Sequence, residues 1–211
     1  MTDHRLEDYP QMLIDAQEGI SYFPAQSQLY YYAGLAHSEM EQTSKAIPFF
    51  SDGLELCSSD RQRVTFLSAL GDAFHTEENH TRSDESFEMA LNIDSTNTML
   101  LNNFAYYLSL RNIRLEKAEK MSNLSNILAP GTASYNDTYG WILYQMGKYE
   151  KAAKWLLKAE SNGGGDSAVI MEHIGDTYVK LKVKKIAQEY YQKAIEKGGD
   201  KEQLTKKINL L

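Results

Sequence analysis

The chain repeats itself at intervals of about 35 residues, and this period constrains its fold more than any other feature. Small residues recur in step along three separate series. The first has spacings of 37, 34, 35 and 35 residues and comprises Gly34, Gly71, Ala105, Gly140 and Gly175. The other two comprise Ala46, Ser83, Ala118, Ala152 and Ala187, and Gly53, Ala90, Ser125, Ala159 and Ala194. Three series at one period predict a stack of similar units, each in contact with its neighbours.

Each unit has the pattern of two helices. Leu67, Leu70 and Phe74 follow the i, i+3, i+7 spacing of one helical face, and Ala152 and Leu156 keep the same periodicity in another helix. Short polar or glycine-containing turns separate these segments. Small residues at fixed points on both helices allow neighbouring helices to approach closely.

Two units carry the fullest set of recurring residues: one has Tyr139, Gly140, Leu143, Gly147, Ala152, Leu156 and Ala159, and the last has Ile174, Gly175, Tyr178, Ala187, Tyr191 and Ala194. In these residues the sequence resembles the tetratricopeptide repeat family, including its bacterial members. The third unit departs from the pattern at Ser122 and has one extra residue in its turn, around 111–114. The resemblance covers roughly residues 25–199. It implies an all-α, right-handed superhelix of antiparallel helix pairs.

The register predicts about five repeats between a leading half repeat and a C-terminal capping helix. Pro24 stands where the family pattern ends a second helix, and Asp200 is suited to cap the N-terminus of the last one. The predicted segments are 1–24 for the leading helix, 25–60, 61–97, 98–132, 133–167 and 168–199 for the repeats, and 200–211 for the capping helix.

Composition excludes several classes of function. The net charge of −7 makes the chain a poor ligand for nucleic-acid phosphates, so we expect no nucleic-acid partner. The single cysteine, Cys57, excludes an internal disulfide and a thiolate zinc cluster. We expect no direct membrane span, because no apolar run approaches roughly 18 residues. The start of the chain lacks a signal-peptide pattern, which leaves open the cytoplasm or, after removal of a leader, the periplasm or envelope.

In the tetratricopeptide repeat family the first helix of each unit lines a concave groove that holds a peptide or a partner helix. The groove positions that the resemblance implies here are Tyr31, Asp72, Asn102, Asn103, Tyr106, Asp137, Trp141, Tyr144, Glu172, His173 and Asp176. Some family members hold acidic chaperone tails with a carboxylate clamp, which needs cationic side chains at four groove positions. None of the corresponding residues here is a cation: they are Gln28, Thr65, Asn103 and Ser134. We therefore expect a neutral or basic protein partner.

Catalytic and cofactor motifs do not emerge from the sequence. His75 and His80 lack the i, i+4 spacing of a helical zinc site, and the glycines at 163–165 lack the Lys-Ser/Thr of a phosphate loop. We expect no enzyme activity, no metal and no cofactor.

Two functional hypotheses follow. The first is a non-enzymatic interaction scaffold whose groove binds a peptide or helix of a partner. The alternative is a sensory or self-assembling portion of a larger bacterial envelope or signalling protein. Its motivation is the uneven distribution of charge, which could drive head-to-tail association. Residues 1–100 carry 17 acidic and 5 basic side chains, a net of −12, while residues 101–211 carry a net of +5.

Overall fold

The computed structural model describes residues 8–211, which contain twelve α-helices and no β-strand. The first seven residues of the predicted leading helix, 1–24, lie outside the described residues. The helices are α1 (Tyr9–Tyr22), α2 (Ser27–Glu39), α3 (Thr43–Glu55), α4 (Asp60–Thr76), α5 (His80–Ile93), α6 (Thr98–Leu110), α7 (Leu115–Leu128), α8 (Ala133–Gln145), α9 (Tyr149–Ser161), α10 (Ala168–Lys180), α11 (Lys184–Glu196) and α12 (Lys201–Asn209). The all-α prediction is confirmed.

The chain divides into two compact units, the first ending at Ser95 and the second running from Thr96 to Leu211. In the first unit, α1 to α5 pack in chain order as antiparallel neighbours. In the second, α6 to α12 do the same, and the alternate helices α6, α8 and α10 also contact one another in sequence.

Polar caps define where several helices begin. The side chains of Ser59, Asn97, Ser167 and Asp200 each accept a hydrogen bond from the backbone N–H three residues later. Each cap satisfies one of the N–H groups that a helix leaves without an internal partner. The expected cap at Asp200 is confirmed, and Leu204 of α12 is fully buried against the neighbouring core.

The repeated small residues receive bulky side chains from the second helix of each pair. A Cβ added at Gly175 would lie 2.6 Å from the Tyr191 ring, and one at Gly140 would lie 2.7 Å from Leu156 Cγ. The pairs Gly34–Phe50 and Gly71–Phe87 have the same close contact. The glycines therefore leave room for these side chains, as the periodicity indicates.

The third repeat has different residue types at both positions of this contact. Ala105 stands at the glycine position and Ser122 at the position of the bulky side chain, and both are completely buried. A larger residue at the glycine position thus accompanies a smaller one at the bulky position, as in a volume-conserving exchange.

Turns within the helix pairs share one backbone feature. A residue with positive φ recurs at Glu41, Glu78, Asn112, Gly147 and Lys182, with φ of 59°, 57°, 52°, 75° and 61°. Four turns have three residues, whereas the turn from Arg111 to Arg114 has four, which confirms the predicted extra residue. Arg114 absorbs the insertion with a second left-handed conformation, φ 50°.

Candidate interaction face

Nine of the eleven predicted groove positions lie on α6, α8 and α10, within the second unit. Because α8 contacts both α6 and α10, the nine residues lie on neighbouring helices; Asn102, Asp137 and His173 are buried, and the other six are partly exposed. We call this set the α6–α8–α10 face. Its members are Asn102, Asn103, Tyr106, Asp137, Trp141, Tyr144, Glu172, His173 and Asp176.

The centre of the face is a stack of three rings. The Trp141 ring lies 4.0 Å from His173 with an interplanar angle of 15°, and 4.6 Å from Tyr144 with an angle of 8°. Two parallel rings this close cannot share one face of the indole without overlapping, so they cover its two opposite faces. The two faces of the Trp141 ring are therefore covered by Tyr144 and His173. Its Nε1 is shielded from solvent and has no hydrogen-bond partner among the described residues.

A hydrogen bond between Asp137 and His173 fixes one of the two outer rings of this stack. Nδ1 of His173 lies 2.9 Å from Oδ1 of Asp137, and both residues are buried. The pair joins α8 to α10 and holds His173 flat against Trp141.

Tyr106 and the asparagines occupy the α6 end of the face. Tyr106 is half-buried, and burial together with the nearby charge of Asp137 raises the pKa of its phenol. The Asn102 amide donates to Asn103 Oδ1 at 3.4 Å. Asn102 itself is buried, and its Oδ1 has no partner among residues 8–211.

The α10 end of the face is acidic, and a lysine of α12 occupies it. Lys207 Nζ donates to Glu172 Oε1 at 2.8 Å and to the two Asp176 oxygens at 2.7 and 2.8 Å. It also lies 5.5 Å from the centre of the Tyr191 ring. Burial alone would lower the pKa of Lys207, but its hydrogen bonds to Asp176 and Glu172 raise it, so the ammonium stays charged.

Two tyrosines beside this cluster are held in the neutral form. Burial, followed by the charges of Asp176 and Tyr149, raises the pKa of Tyr144 to about 12. Burial also raises the pKa of Tyr191, whose hydroxyl donates to Asp176 Oδ1 at 2.7 Å. Both phenols therefore remain hydrogen-bond donors at neutral pH.

The other two predicted positions, Tyr31 and Asp72, lie in the first unit. The Tyr31 ring contacts Phe50 at 5.9 Å and Phe66 at 5.6 Å, and it packs against the core of that unit. Burial, and then the charge of Asp72, raises the pKa of Tyr31. Tyr31 thus contributes to packing whether or not it also contacts a partner.

Sequence features outside the face have structural roles. Gly164–Asp166 forms a single 3₁₀ turn, and Asp166 pairs with Lys197 at 2.5 Å. Cys57 is buried next to the end of α3, and burial raises the pKa of its thiol. Among residues 8–211, no three His, Cys, Asp or Glu side chains form a possible metal site, and no helix is long and apolar enough to span a membrane.

Two groups of residues were not predicted from the sequence. One is Lys207, which the repeat register assigns only to the capping helix. The other is a buried amide network: Asn136 bonds to Asn126, and Asn162 Nδ2 donates to Asn136 Oδ1 at 2.6 Å. The one signal for the network was three asparagines near the ends of consecutive helices.

Comparisons with known proteins identify the repeat type. Residues 133–161 and 168–196 match the family model described as tetratricopeptide repeat. PilF from Pseudomonas aeruginosa has a similar structure, with 23% identity, a TM-score of 0.72, and coverage of 85% of this chain and 79% of PilF. YrrB, described as a tetratricopeptide repeat protein with an unusual peptide-binding site, is 19% identical with a TM-score of 0.66, covering 93% of this chain and 98% of YrrB.

A third similar structure is the APC/C hetero-tetramer Cut9–Hcn1. The match covers 98% of this chain and 40% of the other, with 13% identity and a TM-score of 0.84. Identities this low establish a shared fold alone. The sequence matches none of the curated proteins.

Proposed function

We propose that this chain, which matches the tetratricopeptide repeat model in two of its repeats and shares the fold of such proteins, is a non-enzymatic interaction scaffold whose α6–α8–α10 face binds a segment of a partner protein. The observation that carries this proposal is the ring stack of Trp141 with its two neighbours. Large aromatic side chains on a surface supply much of the contact energy in protein interfaces.

Internal bonds prepare this face for binding. Asp137 holds His173 by a hydrogen bond. The rings of His173 and Tyr144 stack on Trp141, and the ring of Tyr149 packs edge-on to Tyr144 at 5.5 Å. Side chains already held in one conformation lose little entropy on association. The half-buried rings of Tyr106 and Tyr144 add partly exposed aromatic area to this face.

Charge favours a neutral or basic partner. Asp137, Glu172 and Asp176 supply carboxylates, while the clamp positions Asn103 and Ser134 carry no cation. An acidic segment would face repulsion on this face, whereas a basic one would be attracted. YrrB supports a peptide ligand by analogy, since it is described as having a peptide-binding site.

Peptides selected from a random library against the immobilised full chain provide the test. A Tyr106→Ala/Tyr144→Ala double variant should weaken binding of the selected peptides by at least about tenfold, because both rings lie on the proposed contact surface. Trp155→Ala is the matched control, since Trp155 lies on α9 and packs edge-on to Tyr139 at 4.8 Å. Equal affinity for the double variant and the wild type, with both folded by circular dichroism, would contradict the proposal.

Self-assembly is the second candidate, as the repeat portion of a larger envelope or signalling protein. The charge difference between the first 100 residues (−12) and the remainder (+5) favours head-to-tail association. Light scattering at two ionic strengths tests it. A complex that dissociates as salt rises is expected, and a monomer at low salt would refute charge-driven assembly.

A further inference from the structure

The acidic end of the α6–α8–α10 face already holds a cation. The ammonium of Lys207 makes three contacts of 2.7 to 2.8 Å with oxygens of Glu172 and Asp176, and the Tyr191 ring lies beside it. An ammonium has three N–H donors, and these three contacts match that number. Two carboxylates and an aromatic ring thus form a complete receptor for one basic side chain.

We infer that Glu172, Asp176 and Tyr191 form a binding site for a primary ammonium or guanidinium group, that Lys207 fills it in the free protein, and that a lysine or arginine of a partner segment displaces Lys207 from it. The inference rests on the proposed function of the face. It adds to that function a preference of the α10 end for a basic side chain, and it identifies Lys207 as a residue of the same chain that competes for the site.

The site keeps its shape without Lys207. The Tyr191 hydroxyl donates to Asp176 Oδ1 at 2.7 Å and is itself anchored, because the Tyr191 ring is almost fully buried against Gly175. Asp176 is therefore held by a neighbour that does not depend on α12. A carboxylate fixed in this way is ready for a cation from another source.

Lys207 can leave without unfolding its helix. The core contact of α12 comes from Leu204, which is fully buried, together with the partly buried Ile208 and Leu211. Lys207 reaches α10 through a flexible side chain that remains 27% exposed. A rotation of that side chain alone would vacate the site.

Competition inside one chain reduces the apparent affinity for an external cation. A site that Lys207 occupies for roughly nine-tenths of the time binds a competing cation about tenfold more weakly than an empty site. Removing the Lys207 ammonium should therefore strengthen binding of a basic ligand and leave a neutral ligand unaffected.

The experiment uses the full chain and two nonapeptides, acetyl-Gly-Leu-Gly-Lys-Gly-Leu-Gly-Lys-Gly-amide and its counterpart with glutamine in place of lysine. Binding is measured by calorimetry to the wild type, to Lys207→Met and to the control Lys206→Met. Lys206 is the neighbouring lysine, and it pairs with the exposed Glu202 at 2.7 Å instead of with α10. If Lys207→Met does not fold by circular dichroism, Lys207→Gln, which keeps a neutral donor, replaces it.

We expect the lysine peptide to bind Lys207→Met about tenfold more tightly than the wild type or Lys206→Met, and the glutamine peptide to bind all three equally. An unchanged or weaker affinity of the lysine peptide for Lys207→Met would overturn the inference, as would its failure to bind that variant at all. The library-selected peptides then decide separately whether the proposed function stands, because their binding depends on Tyr106 and Tyr144.

Discussion

Replacing Gly175 by alanine should destabilise the chain far more than a typical surface substitution. The new Cβ would lie 2.6 Å from both Cδ1 and Cε1 of Tyr191. Carbon atoms in contact prefer separations of about 3.5 Å, so the ring must move by roughly 0.9 Å. Its hydroxyl is tied to Asp176 at 2.7 Å, and a shift of this size would break that hydrogen bond.

The magnitude follows from three contributions. Overpacking costs about 1 to 3 kcal/mol, and loss of a hydrogen bond to a charged group costs about 1.5 to 3 kcal/mol. The better helix propensity of alanine offsets about 1 kcal/mol. We therefore expect Gly175→Ala to lower the free energy of unfolding by about 1.5 to 5 kcal/mol.

Urea unfolding followed by circular dichroism measures this effect, and Gly165→Ala is the control. At Gly165 the nearest atom to an added Cβ is Glu160 O at 3.8 Å, an ordinary contact, so we expect a change within about 0.5 kcal/mol. A Gly175→Ala protein as stable as Gly165→Ala would refute the packing argument. In a Tyr191→Leu background the cost of Gly175→Ala should fall, because no ring hydroxyl remains to be displaced.

Three further predictions concern a turn, a titration and the buried amides. Lys182→Gly should raise the free energy of unfolding by about 0.5 to 1 kcal/mol in urea, because Lys182 has φ 61° and glycine adopts that conformation without strain; a destabilised variant would contradict this. Because the pKa of Tyr144 is raised from 10.0 to about 12, its stabilising contribution is complete below pH 10 and is lost as the pH rises to about 12. Urea midpoints between pH 9 and pH 12 should therefore fall less steeply for Tyr144→Phe than for the wild type. An equal pH dependence of the two proteins would contradict the raised pKa of Tyr144. Asn136→Leu should cost about 2 to 3 kcal/mol in thermal unfolding because the buried Oδ1 of Asn126 loses the hydrogen bond that the Asn136 amide donates to it, and a neutral change would contradict this.

The period in the sequence was sufficient to predict the helices and their contacts. Gly140 and Leu156 fall at register positions that require a close approach, and the structure places them in contact. Even the irregular third repeat could be predicted in part, since its extra turn residue is visible near Arg114. Such features depend on spacing along the chain, which a sequence displays directly.

The conformations of side chains on the face could not be predicted in the same way. The register places Trp141 on an inner helix but does not say that His173, from the next repeat, covers one side of its ring. Lys207 lies beyond the last repeat, so no periodicity connects it with Glu172 or Asp176. These contacts depend on rotamers and on charges that meet only after the helices have packed.

Mapping a bound peptide onto the protein would show whether the α6–α8–α10 face is the binding surface. Backbone amide shifts of the ¹⁵N-labelled full chain would be recorded while a library-selected peptide is added to saturation. We predict that the largest shifts cluster on α6, α8 and α10, around Tyr106, Trp141 and Asp176. Shifts confined to α7, α9 and α11, with the amide signals of α6, α8 and α10 unchanged, would contradict binding at this face.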